Sequence, residues 1–301
     1  MTKLKVTFAA LTCVVFTAFG QNGTTPENTG TSGRKIKIAS ASVMPGFIFQ
    51  NSPVASLSDF QKLYPQSILL NENMTGYSSS GGYSASLGTS FNANVGIVKT
   101  DKDGAASSHT ELRLGVSYSG MEMYNYVNKT DTKRFDTLTS SQTGQTEYVD
   151  SVTYRNYSMN YSTQQIRVDI SAIYRTNPLA RWSMFAGIGI EFGSSIKAST
   201  SVNYCEYSYT TSSYNSSSGG GYGGNNGSAC RYETAVNKAN IGGAAYLPIG
   251  VDFRVGNKRP FFKQMHFFYE ARPFVNYMNI PELGTSTSVG IKSGIGLRVT
   301  I

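Results

Sequence analysis

Residues 182–197, WSMFAGIGIEFGSSIK, alternate in character with a period of two. Trp182, Met184, Ala186, Ile188, Ile190, Phe192 and Ile196 share one parity. Ser183, Gly187, Gly189, Glu191, Gly193, Ser195 and Lys197 share the other, with Phe185 as the exception. A repeat of two belongs to a β-strand whose two faces meet different surroundings. The pattern returns along the chain. Leu112, Leu114, Val116 and Tyr118 alternate with Glu111, Arg113, Gly115 and Ser117, and Ile166, Val168 and Ile170 alternate with Gln165, Arg167 and Asp169. Candidate strands run over 34–50, 82–99, 109–127, 152–175, 182–204, 231–255, 264–278 and 287–301. In the first, Ile36 and Ile38 are even while Phe47 and Phe49 are odd, so a bulge is predicted near Ala39–Pro45.

The decisive question is which row meets water. These runs are about 15–25 residues long, whereas strands in soluble domains average about 5–6. The polar row is crowded with glycine and serine among the charges. A solvated face has no need of glycines, which weaken strands; the inside of a narrow barrel does, because few large side chains fit there. The connections 51–81, 128–151 and 205–230 are long, and 100–108, 176–181 and 256–263 are short. The prediction is an all-β fold, a transmembrane antiparallel up-and-down β-barrel of about eight strands with long extracellular loops and both ends of the chain in the periplasm. Trp182, Met184, Ile188, Ile190 and Phe192 would then face outer-membrane lipid. A soluble barrel or sandwich with the apolar row inward is the competing reading.

The start of the chain fits export. Lys3 and Lys5 precede a short apolar run that ends Ala18-Phe19-Gly20, which reads as a signal peptide over 1–20. Residues 21–33 read as a flexible periplasmic tail, and 34–301 as the barrel. The formal net charge of +8 is spread without a Lys/Arg block. That disfavours nucleic acid as a partner and suits anionic lipid headgroups. Beyond the signal, Cys205 and Cys230 are an even pair in an exported chain, so a disulfide is predicted; metal binding, the competing reading, needs more ligands than the neighbourhood offers.

Taken with the tyrosine-rich strands and the Gly/Ser loops, GIGIEFG (187–193) and GIGLRVTI (294–301) resemble the small eight-stranded outer-membrane barrels of Gram-negative bacteria, in particular those of Bacteroidota. The resemblance covers 34–301 and implies an outer-membrane location. One departure is the ending Val299-Thr300-Ile301, where many such barrels end in an aromatic residue.

With the apolar row outward, the lumen receives Glu111, Arg113, Arg167, Asp169, Glu191, Lys197, Asp252, Arg254, Glu270, Arg272, Lys292 and Arg298. Charges of both signs in a low-dielectric bore are expected to pair and fill it. No nucleophile–base pair, phosphate loop or metal-ligand spacing is visible, so no catalytic residue, cofactor or metal is assigned. His266 reads as an interfacial polar residue. Tyr124, Tyr126, Tyr154, Tyr157, Tyr161, Tyr204, Tyr207 and Tyr209 read as an aromatic girdle and the extension above it. In SLSDFQKLYPQSILL (56–70), Ser58 or Asp59 would cap a short helix, with Phe60, Leu63, Leu69 and Leu70 as anchors. The leading functional reading is a non-enzymatic barrel whose loops 51–81, 128–151 and 205–230 meet another envelope protein or a surface glycan. A lipid-modifying enzyme and a narrow channel are the alternatives.

Overall fold

The computed structural model describes residues 36–52, 54, 56–79, 85–99, 109–177, 180–212, 225–256 and 259–301. The predicted signal peptide, tail and connection 100–108 lie outside the described residues. Strand β1 (Ile36–Asn51) is followed by helix α1 (Leu57–Leu63) and the two-residue β2 (Ser78–Ser79). Then come β3 (Ala85–Lys99), β4 (Thr110–Thr139), β5 (Thr146–Arg175) and β6 (Trp182–Ser212). The chain continues through β7 (Asn225–Val236), β8 (Ile241–Tyr246), β9 (Ile249–Arg254), helix α2 (Pro260–Gln264), β10 (Met265–Ile280) and β11 (Gly284–Thr300).

Every main pairing is antiparallel, and the ring closes where β11 pairs with β1. One stave is composite: β8 and β9 both lie between β6 and β10. The strand read as 231–255 is thus broken into β7, β8 and β9. Pro248, which has no N–H for a ladder, sits at the β8–β9 joint.

Above the ring the wall continues on one side only. β3 leaves β4 at Leu87–Glu122, yet β4 runs on to Thr139 paired with β5. β5 continues against β6, and β6 against β7. Within the connections read as loops 128–151 and 205–230, residues 128–139, 146–151, 205–212 and 225–230 are strand, forming a blade of β4–β7. A strand of 30 residues such as β4 is roughly 100 Å long at about 3.3 Å per residue, far beyond the ~30 Å of bilayer hydrocarbon. The blade escaped the sequence pattern because neither of its faces meets lipid, so the contrast between rows fades there.

Among the register shifts of the described strands, two reset the parity of side chains within the ring. One lies at Ala39, between Ile38 and Ser40, and reconciles the two rows of β1. The other lies in β6, where Gln164 opposes Lys197 but Gln165 opposes Ser195, leaving Ile196 as the extra residue. One inserted residue sends every later side chain to the opposite face.

Candidate functional site

The bore is filled in tiers. At the end of the bore beside connections 176–181 and 256–263, Asp252 accepts from Arg175 at 2.8 Å, from Arg298 at 2.9 Å and from His266. Arg175 also reaches Glu111 at 3.3 Å, and Ser40 Oγ donates to Glu111 at 2.5 Å. Next, Phe185 lies beneath the guanidinium groups of Arg113 and Arg175, at 4.9 and 5.1 Å, and edge-on to Phe268. Phe185, the one apolar residue on the polar parity, is thus an inward core residue. Glycines make its layer possible: a Cβ at Gly250 would collide with the Phe185 ring, and one at Gly296 with Phe268.

Higher in the bore, Glu270 bridges Arg113 (2.6 Å) and Arg272. Arg272 reaches Asp169 at 2.8 Å, and Tyr246 donates its hydroxyl to the same carboxylate. Glu191 faces Lys292 at 2.5 Å, Arg272 at 3.6 Å and Arg167 at 3.8 Å. All these charged side chains are buried. Charges taken out of water need such partners, and each bridging carboxylate here supplies more than one.

Of the predicted lumen residues, Glu111, Arg113, Arg167, Asp169, Glu191, Asp252, Glu270, Arg272, Lys292 and Arg298 lie buried in this network. Arg254, at the end of β9, is half-buried at the rim. Lys197 is a correction: it is exposed on the outer face, because the bulge at Ile196 precedes it. His266 is a second correction. It is buried in the bore against Asp252 and is not interfacial; its even parity, shared with Glu270 and Arg272, carried that signal. Arg175 was missed, although it continues the row of Arg167 and Asp169 by a few residues. Trp182, Met184, Ile188, Ile190 and Phe192 are all exposed on the outside wall.

The mouth is closed by an apolar plug. Helix α1 is capped by Ser56, whose hydroxyl accepts from the Asp59 N–H while the Asp59 carboxylate accepts from the Ser56 N–H. The cap therefore starts two residues before Ser58, with Asp59 as its reciprocal partner. The helix and the segment after it bury Phe60, Leu63, Leu69 and Leu70 against Met121, Met123, Met159 and Met278 at the top of the bore. Tyr157, Tyr161 and Tyr204 belong to this plug and not to a girdle, since they point inward and are buried. Polar ties hold the lid down: Asn237 donates to the Leu63 carbonyl at 2.7 Å, Ser67 to Glu233 at 2.5 Å and Tyr157 to Glu72 at 2.9 Å.

On the blade, the disulfide joins Cys205 and Cys230 at directly opposed positions of β6 and β7. Its 25-residue separation closes a loop worth about 3 kcal/mol in the chain-entropy model. Replacing both cysteines with serine is expected to leave the ring intact and to speed protease nicking of the blade, read as fragments on a gel. Above the lid, Arg155 pairs with Glu206 at 2.8 Å and with Asp131. Hydrogen bonds from Tyr204 and Arg155 hold the Glu206 carboxyl below its ordinary value, and burial with the nearby Glu206 pushes the Tyr204 phenol up to about 12. A depressed carboxyl stabilises the fold above its unfolded pKa and loses that contribution as pH falls through the folded one. Nicking of the blade is therefore expected to be slow at neutral pH and to rise below the ordinary carboxylate range. A Glu206→Gln variant should lack that acid response.

Among the described residues, no group of His, Cys, Asp and Glu is arranged to hold a metal ion. No family model matches the chain, and no curated protein matches it. Solved structures that it resembles include Neisserial surface protein A, at 13% identity and a TM-score of 0.31, covering 89% of this chain and 99% of that one. Another is Ail, the attachment invasion locus protein of Yersinia pestis, in complex with the heparin analogue sucrose octasulfate, at 11% identity and a TM-score of 0.24, covering 87% and 99%. Likeness at this level carries nothing about function. The fold rests on the geometry: the closed ring pairs its strands without leaving an edge, its outside wall is apolar and its charges are inside. Only such a barrel, or a helix, satisfies its backbone within hydrocarbon, and the chain is an eight-stave β-barrel of the outer-membrane type, residing in the outer membrane.

Proposed function

We propose that this protein is a non-enzymatic outer-membrane barrel of a Gram-negative, Bacteroidota-like cell. The filled ring serves as an anchor, and the blade meets an envelope protein or a surface glycan. The observation that carries this reading is the pairing of a doubly blocked bore with a wall that extends far beyond the membrane. Ion pairs fill the lower bore and α1 with its following segment fills the mouth, so transport is disfavoured.

The blade also has a feature suited to contact. Near its tip Arg134 opposes Asp150 while Asp136 opposes Val149, so Phe135 is the inserted residue of a bulge, 73% exposed. Leu138 and Tyr148 are exposed nearby. A protruding aromatic beside further apolar side chains is costly in water and suits an interface.

A photo-crosslinking residue at position 135 in intact cells is expected to capture one discrete envelope component; recovery of uncrosslinked barrel alone counts against the proposal. In planar bilayers the purified protein is expected to show no stepwise conductance, and steady steps would favour the channel reading. An unchanged lipid A mass profile in cells lacking the gene is expected, and a changed one would favour a lipid-modifying enzyme.

A further inference from the structure

We infer that the bore contains a binding site for a single halide-sized anion, formed around Gln50, Arg167 and Asn276. A cavity of about 10 Å³ lies there, lined by these residues together with Ile48, Ser119, Met121, Phe274 and Lys292. That is the space open to the centre of a water-sized sphere, so it holds a single small occupant. Gln50, Arg167, Asn276 and Lys292 are all buried, at 1%, 4%, 2% and 3% exposure. Three of the buried side-chain atoms that lack a hydrogen-bond partner among the described residues belong to this lining: Gln50 Nε2, Arg167 Nε and Asn276 Oδ1. Buried polar groups are almost always satisfied, so three orphans around one cavity point to an occupant.

Charge selects the occupant. Among the described residues the bore buries six arginine and lysine side chains against five carboxylates, with His266 besides. The imbalance is local. Around Asp252 and Glu111, the two arginines Arg175 and Arg298 meet two carboxylates. In the tier above, Arg113, Arg167, Arg272 and Lys292 face Asp169, Glu191 and Glu270, with Glu111 also near Arg113. Arg167 is the cation served least: its nearest carboxylate, Glu191 at 3.8 Å, already faces Lys292 and Arg272. Its Nη2 donates to the neutral Gln165 side chain at 2.5 Å. An excess buried positive charge is expensive, and an anion at the cavity would neutralise it while accepting from Arg167 Nε and Gln50 Nε2.

Asn276 Oδ1, an acceptor, is accommodated by turning the amide. Its Nδ2 now donates to Ser288 Oγ at 3.3 Å. The serine hydroxyl can instead donate to Oδ1, which presents Nδ2 to the cavity.

The test uses the folded mature protein in detergent with bromide as the probe. Crystals grown in bromide are expected to show an anomalous peak in the cavity beside Gln50 and Arg167; a cavity holding only water at saturating bromide overturns the inference. In solution, the heat-unfolding midpoint at constant ionic strength is expected to rise saturably by about 3 °C when bromide replaces a bulky organic anion. Gln50→Glu supplies a fixed negative charge and is expected to abolish that rise. An equal rise in the variant also overturns the inference, and the crystal measurement needs no variant at all. Neither readout involves the blade or its partner.

Discussion

Replacing Arg272 with methionine is expected to destabilise the barrel by about 3–5 kcal/mol, the cost of removing one partner from a buried ionic network. Arg272 is fully buried and touches three carboxylates, those of Glu270, Asp169 and Glu191. Methionine has nearly the right volume, so the loss would come from charge and not from a cavity. Glu270 would retain Arg113, and Glu191 would retain Lys292, but Asp169 would keep only the Tyr246 hydroxyl. Combining Arg272→Met with Asp169→Asn is expected to recover part of the loss, because the stranded charge is removed with its partner. Urea unfolding in micelles, followed by heat-modified gel migration, measures both variants. A single variant within about 1 kcal/mol of the parent would mean that these groups are solvated and the bore is not filled as described.

The second large effect concerns the outer wall. Ile190→Lys is expected to cost about 2–4 kcal/mol, the range for a lysine at the bilayer midplane of a barrel. Ile190 is 52% exposed in the isolated chain, so in water a lysine there would be nearly neutral. The same change at Val236, 88% exposed at the end of β7, is expected to have little effect because that strand belongs to the blade. The contrast between the two positions separates lipid from water as the surroundings. Equal, small effects at both would return the chain to the soluble-barrel reading.

The membrane part of this molecule was legible because lipid and lumen impose opposite demands on alternate residues. Ile188 and Ile190 outside, with Glu191 inside, repeat that demand on each stave, and the glycines opposite Phe185 and Phe268 record the crowding of the bore. Where the demand stops, the signal stops. Residues 128–139 and 146–151 lie on strands with mostly polar side chains on both faces, so composition alone made them look like loops. Lys197 was misplaced for a different reason. A bulge changes parity by one residue, and nothing around Ile196 in the sequence marks where the extra residue lies. Arg175 and His266 sat on the correct parity, but both fell at strand ends, where a pattern of two has few neighbours to support it. The α1 lid was partly legible: its anchors were apparent from their hydrophobicity, whereas its cap depended on a reciprocal bond between Ser56 and Asp59.

Because β4, β5 and β6 each run from the ring into the blade as one strand, with a single-residue bulge at Ile196 of β6, the blade is joined to the ring by continuous backbone pairing. A pull on its tip along the strands would be resisted by many inter-strand hydrogen bonds sheared together, not unzipped one after another. Tension at the cell surface would thus reach the ring undiminished, which makes the blade a stiff lever and not a tether.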